Sequence, residues 1–169
     1  MGPRPVKIKT EVFAGDAERA FAQLAALGRD PTDALDAVGR VLKTRVQLSF
    51  HSGTDPYGRP WAPLKSRSGK PLRDRGHLMN SYDYRVEGAT VVIGTNLAYA
   101  PVHQFGATIK PKSGDPKARL RFLVNGVPVF VKEVNIPPRE MLPLSGLPQD
   151  WSDDVTAAIS DVITRKWAA

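Results

Sequence analysis

Three histidines, one loop with two spaced glycines and one pair of adjacent aspartates are the groups in this chain whose types and spacing could do chemistry. His103 lies in Tyr99-Ala100-Pro101-Val102-His103-Gln104-Phe105-Gly106, where an imidazole could act as a general base. No Gly-x-Ser-x-Gly elbow accompanies it and no serine is marked as its partner, so the reading favours a hydrogen-bonded packing histidine over a hydrolase. His51, His77 and His103 show no His-Glu-x-x-His spacing and no acid at a ligand offset, so neither a metal nor a cofactor is expected. Gly53-Thr54-Asp55-Pro56-Tyr57-Gly58-Arg59-Pro60 has the two-glycine spacing of a phosphate loop. Arg59 and Pro60 then stand where Lys and Ser or Thr are needed, and a turn is the better reading. Asp153 and Asp154 could pair for acid chemistry, but they fit better as charges at the start of a helix. The chain has no cysteine, which excludes a disulfide frame, a thiolate nucleophile and a Cys-based zinc site. No catalytic residue is expected.

Two basic loops remain. Lys65, Arg67, Lys70, Arg73 and Arg75 surround Asp74, and Lys110, Lys112, Lys117, Arg119 and Arg121 surround Asp115. The whole chain carries a formal net charge of +7. Such loops fit a solvated face, contact with DNA, or contact with an acidic protein ring. Each phosphate contact would steepen the salt dependence of DNA binding by about 0.9 in log–log slope. Aromatic residues are few inside the loops, so a base-stacking platform is not expected. No helix-turn-helix or zinc finger accompanies them.

The elements that would carry these residues follow from periodicity. At 169 residues, with 41% hydrophobic and 24% charged residues, the chain can bury a core as a single domain spanning 1–169. Residues 1–15 read as an extended arm, since Val6, Ile8, Thr10 and Val12 alternate with polar positions. Asp16 would cap a helix over 17–27 that Gly28 stops. Asp30-Pro31-Thr32-Asp33 is a second helix start. From it Leu35, Val38, Leu42, Val46 and Ser49 run down one stripe to Phe50. Residues 51–75 are a long loop without period. One helical turn is expected near 76–81. Tyr82, Tyr84 and Val86 turn through Gly88-Ala89 to Val91 and Ile93 as a hairpin. Asn96 would cap a short helix over 97–105. Asn125-Gly126 joins a second hairpin, and 148–167 is a closing helix with Val155, Ile159, Val162 and Ile163 inward. The fold class is therefore α+β, an antiparallel sheet packed against an N-terminal helical segment and a C-terminal helix, with long extended loops. No apolar run approaches a membrane span and no signal sequence precedes the domain, so a soluble product with no membrane partner is expected.

Four ordered blocks carry a resemblance. They are Pro56-Tyr57-Gly58-Arg59-Pro60-Trp61-Ala62-Pro63-Leu64, Leu72 through Gly76 and Leu78 to Ser81, Tyr99-Ala100 with His103-Gln104-Phe105-Gly106, and Pro137-Pro138-Arg139. Together they resemble the phage virion morphogenesis, or tail-completion, family of Mu-like contractile-tailed phages and prophages. Tyr57, and Pro138 in place of a small residue, are slight departures from the pattern. The resemblance implies a structural virion protein, made in the host cytoplasm, that completes the tail and joins it to the head at the neck. It implies a homo-oligomeric ring, a hexamer by analogy with contractile tails. Its partners would be other neck, tail-tube and head-connector proteins, with non-specific contact to packaged DNA. The alternative function is a basic DNA-binding protein using loops 65–75 and 110–121. The resemblance singles out Trp61, Leu64, Gly76, Leu78, Tyr99, His103, Gln104, Phe105, Gly106, Pro137 and Arg139. Trp61 would anchor the long loop, and Tyr99, His103 and Phe105 would be the packing side of the short helix. Gly106 would permit a sharp exit at positive φ, and Arg139 would meet a carboxylate or a neighbouring subunit. Lys65, Arg67, Lys70, Arg73, Arg75, Lys110, Lys112 and Lys117 are the expected DNA or partner contacts. Residues 6–13 and 51–75 would become ordered only in the assembly, because fixing backbone costs about 1–2 kcal/mol per residue.

Overall fold

The structure, a computed structural model, describes residues 30–65, 68–113, 115, 117–124 and 126–167. The expected arm 1–15, the helix expected over 17–27, Arg67 and Asn125 lie outside the described residues.

Helix α1 (Thr32–Ser52) is the hub of an α+β fold. Asp30 starts it: its Oδ1 accepts from Thr32 N at 3.0 Å and from Thr32 Oγ1 at 2.6 Å, while Pro31 supplies the fixed φ of a first turn. Gly53 ends it at φ +81°, donating its N–H to Ser49 O at 2.8 Å. His51 and Ser52 thus belong to the helix and not to the loop expected to start there. The stripe Leu35, Val38, Leu42, Val46 and Phe50 is buried as its 3.6-residue spacing requires. Each such side chain contributes about 1.5–3 kcal/mol by leaving water.

Three partners cover α1. Helix α4 (Gln149–Trp167) lays Trp151, Val155 and Ile159 into the same core, and Val162 against Ala34 and Ala37. Arg45 ties the two helices, donating to Asp154 Oδ2 at 2.6 Å, Asp150 Oδ2 at 2.8 Å and Asp150 O at 2.9 Å. Asp154 therefore does more than complement a helix start, whereas Asp153 is exposed and accepts from Gln149. The hairpin β1 (Asp83–Glu87) and β2 (Thr90–Gly94) crosses α1. There the Tyr84 ring lies on Gly39, and its hydroxyl donates to Asp36 Oδ1 at 2.7 Å. The single turn α2 (His77–Asn80) also packs on α1 and buries Leu78.

Helix α3 (Ala100–Phe105) begins later than its sequence suggests. Pro101 fits a first turn. Before it, Thr95, not the exposed Asn96, accepts a backbone N–H, that of Leu97 at 3.2 Å. The remaining strands form an arm in two tiers. At its base β3 (Ala107–Ile109) pairs antiparallel with β6 (Val134–Ile136), and beyond it β4 (Leu120–Val124) pairs with β5 (Val127–Val131). The antiparallel strands thus occur as three separate two-stranded ladders. Pro111 follows β3 and Pro137-Pro138 follow β6, and proline cannot donate to a ladder. Among the described residues no helix is long and apolar enough to cross a membrane.

Candidate functional site

The segment 53–61 folds into a closed loop around a buried carboxylate. Trp61 N donates to Gly53 O at 2.9 Å, and Asp55 N to Arg59 O at 2.8 Å. Asp55 Oδ1 accepts the amides of Tyr57 and Arg59, each at 2.9 Å, and its Oδ2 accepts from Arg59 Nε at 2.6 Å. The loop amides are spent on Asp55, so they are not presented to a phosphate. This loop delivers Trp61 into the core. The indole meets Phe50 edge-on, with ring centroids 5.4 Å apart, and its Nε1 donates to Glu140 O at 2.9 Å. Residues 53–61 thus find contacts within one chain.

Downstream of Trp61, Ala62 O and Pro63 O accept from Arg139 Nε at 2.9 Å and Nη2 at 3.2 Å. Arg139 is buried, and burial pushes its pKa down. It therefore grips two carbonyls rather than the carboxylate expected for it. Arg139 N donates to His103 O at 2.7 Å, which fixes Pro137-Pro138-Arg139 beside α3. One residue further on, Gln104 completes the join. Its Oε1 accepts from Met141 N at 2.8 Å and Leu142 N at 3.1 Å, and its Nε2 donates to Leu142 O at 2.7 Å. A fully buried primary amide thus stands in for a strand partner.

Helix α3 therefore packs through Ala100 and Gln104, not through the three residues expected. Tyr99 is 44% exposed and Phe105 55% exposed, because α3 is too short to bury more than one stripe. His103 is half-buried. Its ring meets Tyr99 edge-on at 6.1 Å, and its Nδ1 is buried without a hydrogen-bond partner, so the expected ring hydrogen bond is not made there. Burial first, and the Arg139 charge second, lower its pKa and favour the neutral ring. Gly106 leaves α3 at φ +73°, ψ 165°, where a Cβ would stand 2.9 Å from Ile136 O and Pro138 N. Only glycine suits both that backbone and that approach.

These joints surround a cleft of about 340 Å³ that draws on all four sequence blocks: Leu64, Gly76 with Leu78, Tyr99 with His103, and Arg139. Asp74, Arg75 and His77 also line it. Gly76 sits at φ +76° before α2. An orphan imidazole nitrogen without an orienting acid is poorly equipped as a general base. Among the described residues no three His, Asp or Glu side chains gather where they could hold a metal ion. The cleft presents an aromatic edge at Tyr99, an imidazole favoured neutral at His103 and a cationic rim at Arg75. Of the other basic candidates, Lys65, Lys112 and Lys117 are exposed and Arg73 is half-buried. Lys70 donates to His51 O at 3.2 Å and Lys110 pairs with Glu133 at 3.3 Å.

Residues 14–167 match the phage virion morphogenesis family over nearly the whole chain. The chain belongs to that family. It is also similar to Mu-like prophage FluMu G protein 2 of Haemophilus influenzae, with 33% identity over 88 residues. That match covers 52% of this chain and 61% of the relative, so the chain spans somewhat less than two thirds of the relative's length. No solved structure matches. The four sequence blocks lie far apart in sequence, and Leu64, Gly76, Leu78, Tyr99, His103 and Arg139 from them meet around one cleft. Sequence reading passed over Asp55, Gly39 and Arg45 as organising residues. Two signals for them were present: an Asp two and four residues ahead of the amides it holds, and a lone glycine inside a strongly periodic helix.

Proposed function

We propose that this member of the phage virion morphogenesis family completes the phage tail and joins it to the head as a ring subunit at the neck. The ring would be a closed homo-oligomer, a hexamer, seated between tail tube and head connector. Its work is mechanical. The observation that carries the reading is the convergence of three of the four blocks on hydrogen-bonded joints, Gln104 to Met141–Leu142 and Arg139 to Ala62–Pro63, which brace a fold, while the second block lines the same cleft through Gly76 and Leu78. The likeness to a Mu-like prophage G protein is consistent with a tailed-phage setting. The excess of cations suits a subunit bordering the DNA path without making DNA its target. Joining in vitro tests the proposal. Filled heads and finished tails from a phage lacking the chain are mixed with the purified protein, and infectious particles are counted. A rise of orders of magnitude is expected; no rise contradicts the joining role.

A further inference from the structure

The β4–β5 hairpin is an element without a core. Its strand residues are half-buried or exposed, and among the described residues none of them takes part in the hydrophobic clusters that join the rest of the fold. Yet both its faces are apolar. The register places Leu123 opposite Pro128 and Arg121 opposite Phe130 on one face, and Val124 opposite Val127 and Phe122 opposite Val129 on the other. Leu123 is 59% exposed, Val127 63% and Phe130 60%. A two-stranded ribbon of this kind is marginal in water and is held by what covers it.

Charge indicates the cover. Residues 110–133 hold six Lys and Arg against two acids. DNA would meet those cations but would leave Leu123, Val127 and Phe130 wet. The chain before residue 30 is itself cationic, with five Lys and Arg against three acids, so it does not complement the hairpin. The opposite sign lies at the start of α4, where Asp150, Asp153 and Asp154 face a single paired cation, Arg45, while Asp161 further along pairs with Arg165. The start of that helix borders an open groove of about 730 Å³, whose other walls are the end of α1 and the loop 54–58. Leu48, 51% exposed, lines the groove beside Asp150, and Arg45 offsets part of the acidic charge. A basic, apolar projection and a groove with an exposed leucine, edged by the aspartates at the start of α4, thus occur on one chain.

We infer that the β4–β5 hairpin of one copy docks, through Leu123 and Phe130, in the groove between α1 and the start of α4 on a second copy. The two patches differ, so the contact is head-to-tail and can propagate around a ring. The inference deepens the ring reading above and rests on it for the choice of a second copy as partner.

A photo-crosslinking benzoyl-phenylalanine in place of Phe130 tests the contact in full-length protein mixed from isotopically light and heavy chains. Mixed-isotope crosslinks from position 130 to residues 45–58 or 148–151 are expected. Crosslinks to residues 1–29 of the same chain, crosslinks only to added duplex DNA, or no self-association at the highest soluble concentration would overturn the inference. Phe130→Ser and Leu48→Arg, both at exposed positions, should each weaken self-association about tenfold or more, as central contacts do, with the double variant little worse than either single. Thermal unfolding of each variant checks that the fold is intact. Unchanged association in either variant also overturns the inference. Self-association through other residues would remove the hairpin contact and leave the neck role standing. Crosslinks as expected from a chain that fails to join heads to tails would do the reverse.

Discussion

Gln104 and Tyr82 show how differently two fully buried polar side chains can matter. Gln104 satisfies two backbone N–H groups and one carbonyl, whereas the Tyr82 hydroxyl reaches only the Met141 thioether at 3.5 Å. Each orphaned buried polar group costs about 1–3 kcal/mol, so Gln104→Leu should lose at least about 2 kcal/mol in denaturant unfolding while Tyr82→Phe should lose less than about 1. Equal losses would contradict this assignment of the Gln104 amide. Gly106→Ala meets both a φ of +73° and backbone atoms at 2.9 Å, whereas Gly58→Ala, at φ +84°, meets nothing within 4 Å. The Gly106 variant should be the more destabilised of the two, by about 1–3 kcal/mol. His103 gives a pH dependence. Its folded pKa lies below the ordinary value of 6.5, so its contribution is complete above that value. The contribution is lost as pH falls from there toward the folded pKa, because the unfolded chain takes up the proton first. Wild type should therefore lose more stability than His103→Gln between pH 7 and pH 5; parallel slopes would contradict it. The resemblance singled out Trp61 as an anchor, and its indole is buried against Phe50. The exposure of Tyr99 and Phe105 could not be read from sequence, because which side of a six-residue helix is covered depends on Gln104 finding carbonyl and amide partners 37 and 38 residues away.

At the scale of elements, the long helices were legible because their apolar stripes repeat over several turns. The β4–β5 hairpin was legible from Asn-Gly between alternating residues, even though, among the described residues, none of its side chains joins a core cluster. Less legible was the division of the strands into three ladders, since proline marks where a pairing stops but not which strand resumes it. Nor did periodicity reveal how β1 crosses α1. That crossing depends on Gly39, where an added Cβ would lie 2.0 Å from the Tyr84 ring. Helix propensity alone favours Gly39→Ala by about 1 kcal/mol. Overpacking against Tyr84 opposes it by about 1–3 kcal/mol, and we expect net destabilisation with a lowered Tm. A raised Tm would mean that Tyr84 moves aside freely, and that its bond to Asp36 does not position the hairpin.

For the whole molecule, the physical argument and the family agree on the kind of work done. A braced core, a cleft lined from all four sequence blocks and a hairpin whose Leu123, Val127 and Phe130 are exposed suit the structural virion role that the family shows. Composition excluded cysteine chemistry and a membrane-spanning run, but it could not separate a DNA binder from a basic assembly subunit, because both present exposed cations. The exposed Leu123, Val127 and Phe130 of β4 and β5 underlie the protein-docking proposal, and their common faces are visible only once the strands are in register. The most direct test is to locate the chain in mature particles, by electron microscopy with a gold-labelled antibody against it. The account predicts label confined to the junction of head and tail. Label absent from intact, infectious particles would contradict it.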